Sequence, residues 1–180
     1  MKKIFSILFI ILATTTVAQN KDYLISLDGI GPIKLGMPLV ELEKLLKTKI
    51  TFKVIDVDPV RLTETIKAKY KGIDVEIDLF KRQDYIAVDG IIASSPLCKT
   101  KSGLGIGSTK LQIIAAYEGY YIDARPDYKY EEGDDKPEKS KTESTVTVKE
   151  DEEGYAIVFS LVNNKVVSFA IIPIFDDEEG

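Results

Sequence analysis

The chain has no histidine and no tryptophan, and among its 180 residues there is one cysteine. Without histidine it cannot build a Ser-His-Asp triad, a Cys-His pair or an imidazole metal cage, since each needs a group that titrates near neutrality or a neutral nitrogen ligand. One cysteine, Cys98, cannot form an internal disulfide, so burial of apolar surface must hold the fold. With no imidazole beside it and only Lys99 and Lys101 close by, Cys98 reads as a buried or incidental thiol rather than a nucleophile. Basic excess is also missing: 24 Lys and Arg face 29 Asp and Glu, and the pI is near 5.0. A surface that tracks phosphates needs clustered cations, so nucleic acid is not an expected partner.

Long apolar runs are equally scarce, apart from Ile4 to Leu12. That run follows Lys2 and Lys3 and ends in small and polar residues up to Ala18. It has the layout of a secretory leader and is too short for the roughly 20 residues a membrane span requires. Residues 1–18 are therefore expected to be a signal peptide and the protein to be exported, to the periplasm or outside the cell. Its removal takes away Lys2 and Lys3 and moves the formal net charge from −5 to −7. No cysteine stands at the new N-terminus to carry a lipid, so no stable membrane anchor is expected.

What the chain does have is internal likeness. Ile33-Lys34-Leu35-Gly36-Met37-Pro38 leads into the segment Leu39 to Thr48. At a shift of 71 residues, Leu104-Gly105-Ile106-Gly107-Ser108-Thr109 leads into Lys110 to Glu118. Leu39, Leu42, Leu45 and Leu46 fall at helical spacing, and Ile113, Ala116 and Tyr117 occupy the positions of the last three. Ser108 is the expected N-cap and Gly119 the expected stop of the second helix, which is apolar on most sides and so expected to be the more buried.

Period-two alternation follows each helix. Arg61 to Tyr70, the turn Lys71-Gly72, Ile73 to Leu79 and Tyr85 to Ala93 read as strands in the first half. Thr145 to Lys149, Tyr155 to Val162, the turn Asn163-Asn164 and Val166 to Ile172 do so in the second. Residues 131–145 contain no hydrophobic side chain and are expected to form an exposed, mobile, acidic insertion. The expected fold is α+β, two tandem modules of helix plus antiparallel sheet, residues 19–98 and 99–180, with the helices packed on one face of the sheet.

The two segments Ile33 to Pro38 and Gly105 to Thr109 resemble the repeat openings of two exported groups, the beta-lactamase inhibitor proteins and the SmpA/OmlA lipoproteins of outer-membrane assembly. The resemblance implies tandem two-layer α/β modules and a role in binding protein. The chain departs from the first group in lacking paired cysteines, and from the second in lacking an acylated N-terminal cysteine.

Other motifs fail on spacing. Gly103 to Lys110 carries neither a Walker loop nor a dinucleotide fingerprint. Lys101-Ser102-Gly103 has no accompanying Ser-x-x-Lys. Asp74, Glu76 and Asp78 share a strand face on which Lys67 and Lys69 are expected to lie opposite and neutralise them. Asp127, Glu131, Glu132, Asp134 and Asp135 do not follow the spacing of an EF-hand. No catalytic residue, metal site or cofactor is assigned. The candidate binding residues are Tyr120, Tyr121, Tyr128 and Tyr130 with Arg125, because tyrosine offers large contact area and a polar tip at low entropy cost. The expected function is an exported, non-enzymatic protein-binding module, in the manner of a hydrolase inhibitor or an envelope assembly scaffold, its partner an unidentified protein. The alternative is a periplasmic calcium-dependent small-ligand binder or a carboxylate-based hydrolase.

Overall fold

The computed structural model describes residues 20–52, 62–82, 85–129, 137–150 and 154–174. The leader reading of residues 1–18, Tyr130 and residues 131–136 of the expected insertion lie outside them. After a single 3-10 turn at Lys21–Tyr23 come β1 (Leu24–Ser26), β2 (Gly29–Ile30), β3 (Ile33–Lys34), α1 (Leu39–Leu46), β4 (Leu62–Tyr70), β5 (Ile73–Arg82) and β6 (Tyr85–Ala93). The chain continues through β7 (Lys99–Thr100), α2 (Lys110–Ala116), β8 (Tyr121–Lys129), β9 (Glu138–Lys149), β10 (Gly154–Val162) and β11 (Lys165–Ile174).

Two sheets result. The small one has the order β3-β2-β1-β7, with β7 parallel to β1. The large one runs β4-β5-β6-β11-β10-β9-β8, every neighbour antiparallel. Its tight hairpins fall where the sequence supplies residues tolerant of positive φ: Lys71 and Gly72 (43° and 89°) and Asn163 and Asn164 (49° and 66°). These backbone angles match the twist of the flanking strands, which fixes the register.

This architecture corrects the expected α+β fold of two modules with helices packed on one sheet face. Among the described residues the fold is mostly β, with eleven strands in two sheets against two helices of only eight and seven residues. The helical spacing of Leu39 to Thr48 and Lys110 to Glu118 is real but sustains two turns in each case. Alternation, by contrast, extends over most of the remaining chain and becomes one continuous sheet where β6 meets β11 at Ala93–Phe169, Ile92–Ala170 and Ile91–Ile171.

Smaller differences have equally simple causes. The α2 N-cap is Thr109, which closes a capping box with Gln112, while the Ser108 hydroxyl accepts the Gly105 N–H at 2.9 Å. Of α2 only Ile113 is buried; Leu111 is 73% exposed, so this helix is not the deeper of the two. Glu138 to Thr145, read as part of an insertion, belongs to β9 and pairs with β8 and β10. An edge-proximal strand can lack apolar residues when both its faces meet water.

Both helices are pinned to the central strand pair in the same way. The Gly36 N–H donates to the Val88 carbonyl at 2.7 Å and the Val88 N–H to the Met37 carbonyl at 2.9 Å. Seventy-one residues later the Gly107 N–H donates to Val166, and the Val166 N–H to Ser108, both at 2.9 Å. Gly36 and Gly107 have φ of 77° and 86°, which only glycine adopts without strain.

One hydrophobic cluster fills the space between this sheet and the elements laid on it. Ile77, Leu79, Ile91, Phe159, Phe169 and Ile171 from the large sheet meet Leu42, Ile113, Ile25, Ile30 and Ile33, all essentially inaccessible to water. The Phe159 and Phe169 rings meet edge to face at 5.8 Å. The N-terminal turn is tied to the β4–β5 hairpin. Lys71 Nζ and Tyr70 Oη donate to the Asp22 carboxylate at 2.6 and 3.2 Å, and Tyr23 Oη donates to the Lys71 carbonyl.

Candidate functional site

Side chains alternate across a strand, so the face of the large sheet turned away from the helices can be read from the register. One row crosses all seven strands: Lys67, Glu76, Ile92, Ala170, Val158, Thr147, Asp123. It is charged at both margins and apolar in the middle. The neighbouring row continues the apolar patch with Ile172 and Ala156 before reaching Lys149 and Tyr121. Ile92, Val158, Ala170 and Ile172 are half-buried and Ala156 is fully buried, and none belongs to the core cluster or packs against it. Among the described residues the helices and the small sheet contribute their buried side chains only to the other face.

The strands that supply this patch are legible as unusual. β10 and β11 read Tyr155-Ala156-Ile157-Val158-Phe159 and Phe169-Ala170-Ile171-Ile172, near-continuous apolar runs where a strand wet on one side should alternate. Their position at the middle of seven strands explains the inward half of that apolarity. It does not require the outward half.

At one margin of the patch the carboxylates are engaged. Lys67 Nζ lies 3.0 Å from Glu76 and Lys69 Nζ 3.3 Å from Asp74, across the strand pair as the sequence led us to expect, and Thr65 Oγ1 donates to Asp78. These pairs are exposed, and pairs of that kind contribute about 0–1 kcal/mol each. Together with Ile92 they line a concavity of about 450 Å³. Asp127 accepts the Thr145 hydroxyl at 2.6 Å, and the other acids once grouped with it lie outside the described residues. No cluster of three or more metal-binding side chains occurs among the described residues.

The far margin is β8, and here the candidate residues separate. Tyr121 and Arg125 stand on the uncovered face with Asp123 between them; Arg125 Nε is 3.5 Å from Asp123, and Lys149 Nζ lies 5.9 Å from the centre of the Tyr121 ring. Tyr120 precedes the strand and sets its ring edge to face with the buried Tyr117 at 5.2 Å. Tyr128 is exposed but lies beyond a register shift at Pro126, about seven residues or some 23 Å along the strand from Tyr121. Tyr130 is outside the described residues. Tyr120, Tyr121 and Tyr128 thus do not converge. The apolar middle of the face, which connects with Tyr121 and Arg125, is the feature that sequence reasoning missed.

No protein-family model, curated protein or solved structure matches the chain. The resemblance to inhibitor and assembly proteins accordingly rests on its two short segments alone.

Proposed function

We propose that this chain is an exported, non-enzymatic protein-binding module that engages its partner with the uncovered face of the seven-stranded sheet. The observation that carries the reading is the cross-sheet row with charged margins and the apolar middle Ile92, Ala170 and Val158. Apolar residues ringed by charge are the anatomy of a protein interface, in which the centre supplies burial and the rim supplies register. Tyr121, Asp123 and Arg125 form one rim and the Lys67–Glu76 and Lys69–Asp74 pairs the other. Export is read from residues 1–18 and is part of the proposal.

The test starts from the envelope fraction of the source cell. A protein retained by the immobilised mature chain is identified, purified and titrated calorimetrically against the wild type, Val158→Glu, Ala170→Glu and, as control on the opposite side, Leu111→Glu. The proposal expects the two face variants to weaken binding at least a hundredfold and the control to leave it within threefold. Equal losses in all three variants, or binding indifferent to the face variants, would overturn it.

A further inference from the structure

The two edges of the large sheet differ in a way that bears on binding. β8 is interrupted by Pro126 and a register shift, devices that spoil an edge as a template for another strand. β4 has neither. It pairs with β5 in unbroken register from Leu62–Lys81 to Tyr70–Ile73, contains no proline or glycine, and among the described residues pairs with no other strand. Every second residue of such an edge turns its N–H and C=O outward.

A groove of about 380 Å³ runs beside this edge, between β4 and the segment Thr48–Thr51 that follows α1. Its inner wall is apolar, made by Leu46, Ile50, Ile66 and Ala68, all half-buried at the rim of the core; Lys67 and Lys69 stand on its outer side. We propose that β4 is a strand acceptor, taking up an extended segment of another protein in which apolar residues alternate with acidic ones. The apolar side chains would complete the core rim over Ile50, Ile66 and Ala68. The acidic ones would stand opposite Lys67 and Lys69 on the side away from β5, so that each ammonium, now 3.0 Å from Glu76 or 3.3 Å from Asp74, would be shared between two carboxylates, unlike charges across a strand pair being favoured. A second copy of β4 fits less well, because antiparallel pairing centred on the groove sets Lys67 against the other copy's Lys69. This edge borders the uncovered face and shares Lys67 and Lys69 with its rim, but its outward backbone groups and apolar groove are not part of that face, and the proposal does not depend on the partner assigned there.

The probe is a nine-residue peptide of alternating valine and glutamate, read by amide hydrogen exchange of the whole mature chain. Exchange of the outward-pointing amides of β4 should slow at least tenfold with the chain still monomeric. An alternating valine–lysine peptide should give less than a tenth of that affinity, and Lys67→Glu with Lys69→Glu should reverse the preference. Of two versions of the peptide, N-methylated at the valines or at the glutamates, at least one must fail to bind. The proposal is overturned if β4 amides are already as slow as those of β5 in the free chain, if both methylated peptides bind as the parent does, if protection appears on β8 or on the sheet face instead, or if β4 pairs with its own copy.

Discussion

Leu42 and Ile113 stand 71 residues apart, and each is the one fully buried residue of its helix. α2 therefore attaches to the core through one large side chain, Ile113, whereas in α1 the half-buried Leu39, Leu45 and Leu46 pack beside Leu42; the backbone pins at Val88 and Val166 support both helices. Truncating Leu42 or Ile113 to alanine removes buried apolar volume and leaves a cavity, at a cost of about 2–5 kcal/mol. Denaturant unfolding of Leu42→Ala and Ile113→Ala should show losses in that range. Leu111→Ala, on the exposed side of α2, should stay within about 0.5 kcal/mol of the wild type.

Gly36 and Gly107 offer a cleaner measurement of backbone strain, because a Cβ at either position meets nothing within 4 Å. Alanine there must hold a positive φ with no steric clash to confuse the result, at roughly 1–2 kcal/mol. Gly36→Ala and Gly107→Ala should lower stability by similar amounts, measured by the shift of the urea midpoint at constant slope.

Acid should loosen the tie between the N-terminal turn and the β4–β5 hairpin. The Lys71 hydrogen bond, with its charge and the Tyr70 hydroxyl, holds the Asp22 carboxyl below its ordinary value of 3.8 despite some desolvation. A depressed carboxylate contributes stability that is present above its unfolded pKa and lost as pH falls through the lower folded value. Stability should therefore drop as pH goes below about 4, with Asp22→Asn flattening that part of the curve. Lys71 and Tyr70 are raised above their ordinary values, Lys71 chiefly by its hydrogen bond to Asp22 and Tyr70 chiefly by burial. Their share is present at neutral pH and is lost as pH climbs past the raised values, so Asp22→Asn should also blunt the alkaline decline.

Cys98 is fully buried, and desolvation pushes its thiol up to about 11. At pH 8 a thiol of that kind is about one thousandth thiolate, against roughly a quarter for an ordinary one at about 8.5. Iodoacetamide should modify the native chain at least a hundredfold more slowly than the urea-unfolded chain. Comparable rates in the two states would show that the site opens far more readily than its burial implies.

Legibility followed the length of the pattern. Ile73, Val75, Ile77 and Leu79 alternate long enough to fix a strand, its inward face and, through Lys71-Gly72, the opposition of Lys67 to Glu76. Helical spacing marks Leu42 and the 71-residue shift carries it onto Ile113, both of them buried, whereas Ala116 on the same stripe is exposed because α2 ends there. The small sheet escaped notice because β2, β3 and β7 have two residues each, too few for any period to show. The spread of the candidate residues has a different cause. Crowding of tyrosines in sequence says nothing about convergence once the crowd is drawn out along an extended strand. The outward residues Val158, Ala170 and Ile172 were hidden in runs whose inward members already accounted for their hydrophobicity.

The strand order has a temporal meaning. β11 is the last described strand along the chain, yet it lies at the middle of the large sheet, joining β6 to β10. Until residue 174 is free of whatever synthesises or threads the polypeptide, the earlier ribbons have no bridge and their shared core has a missing wall. Assembly of the sheet must wait for β11, and any deletion that removes Lys165–Ile174 divides the molecule instead of shortening it.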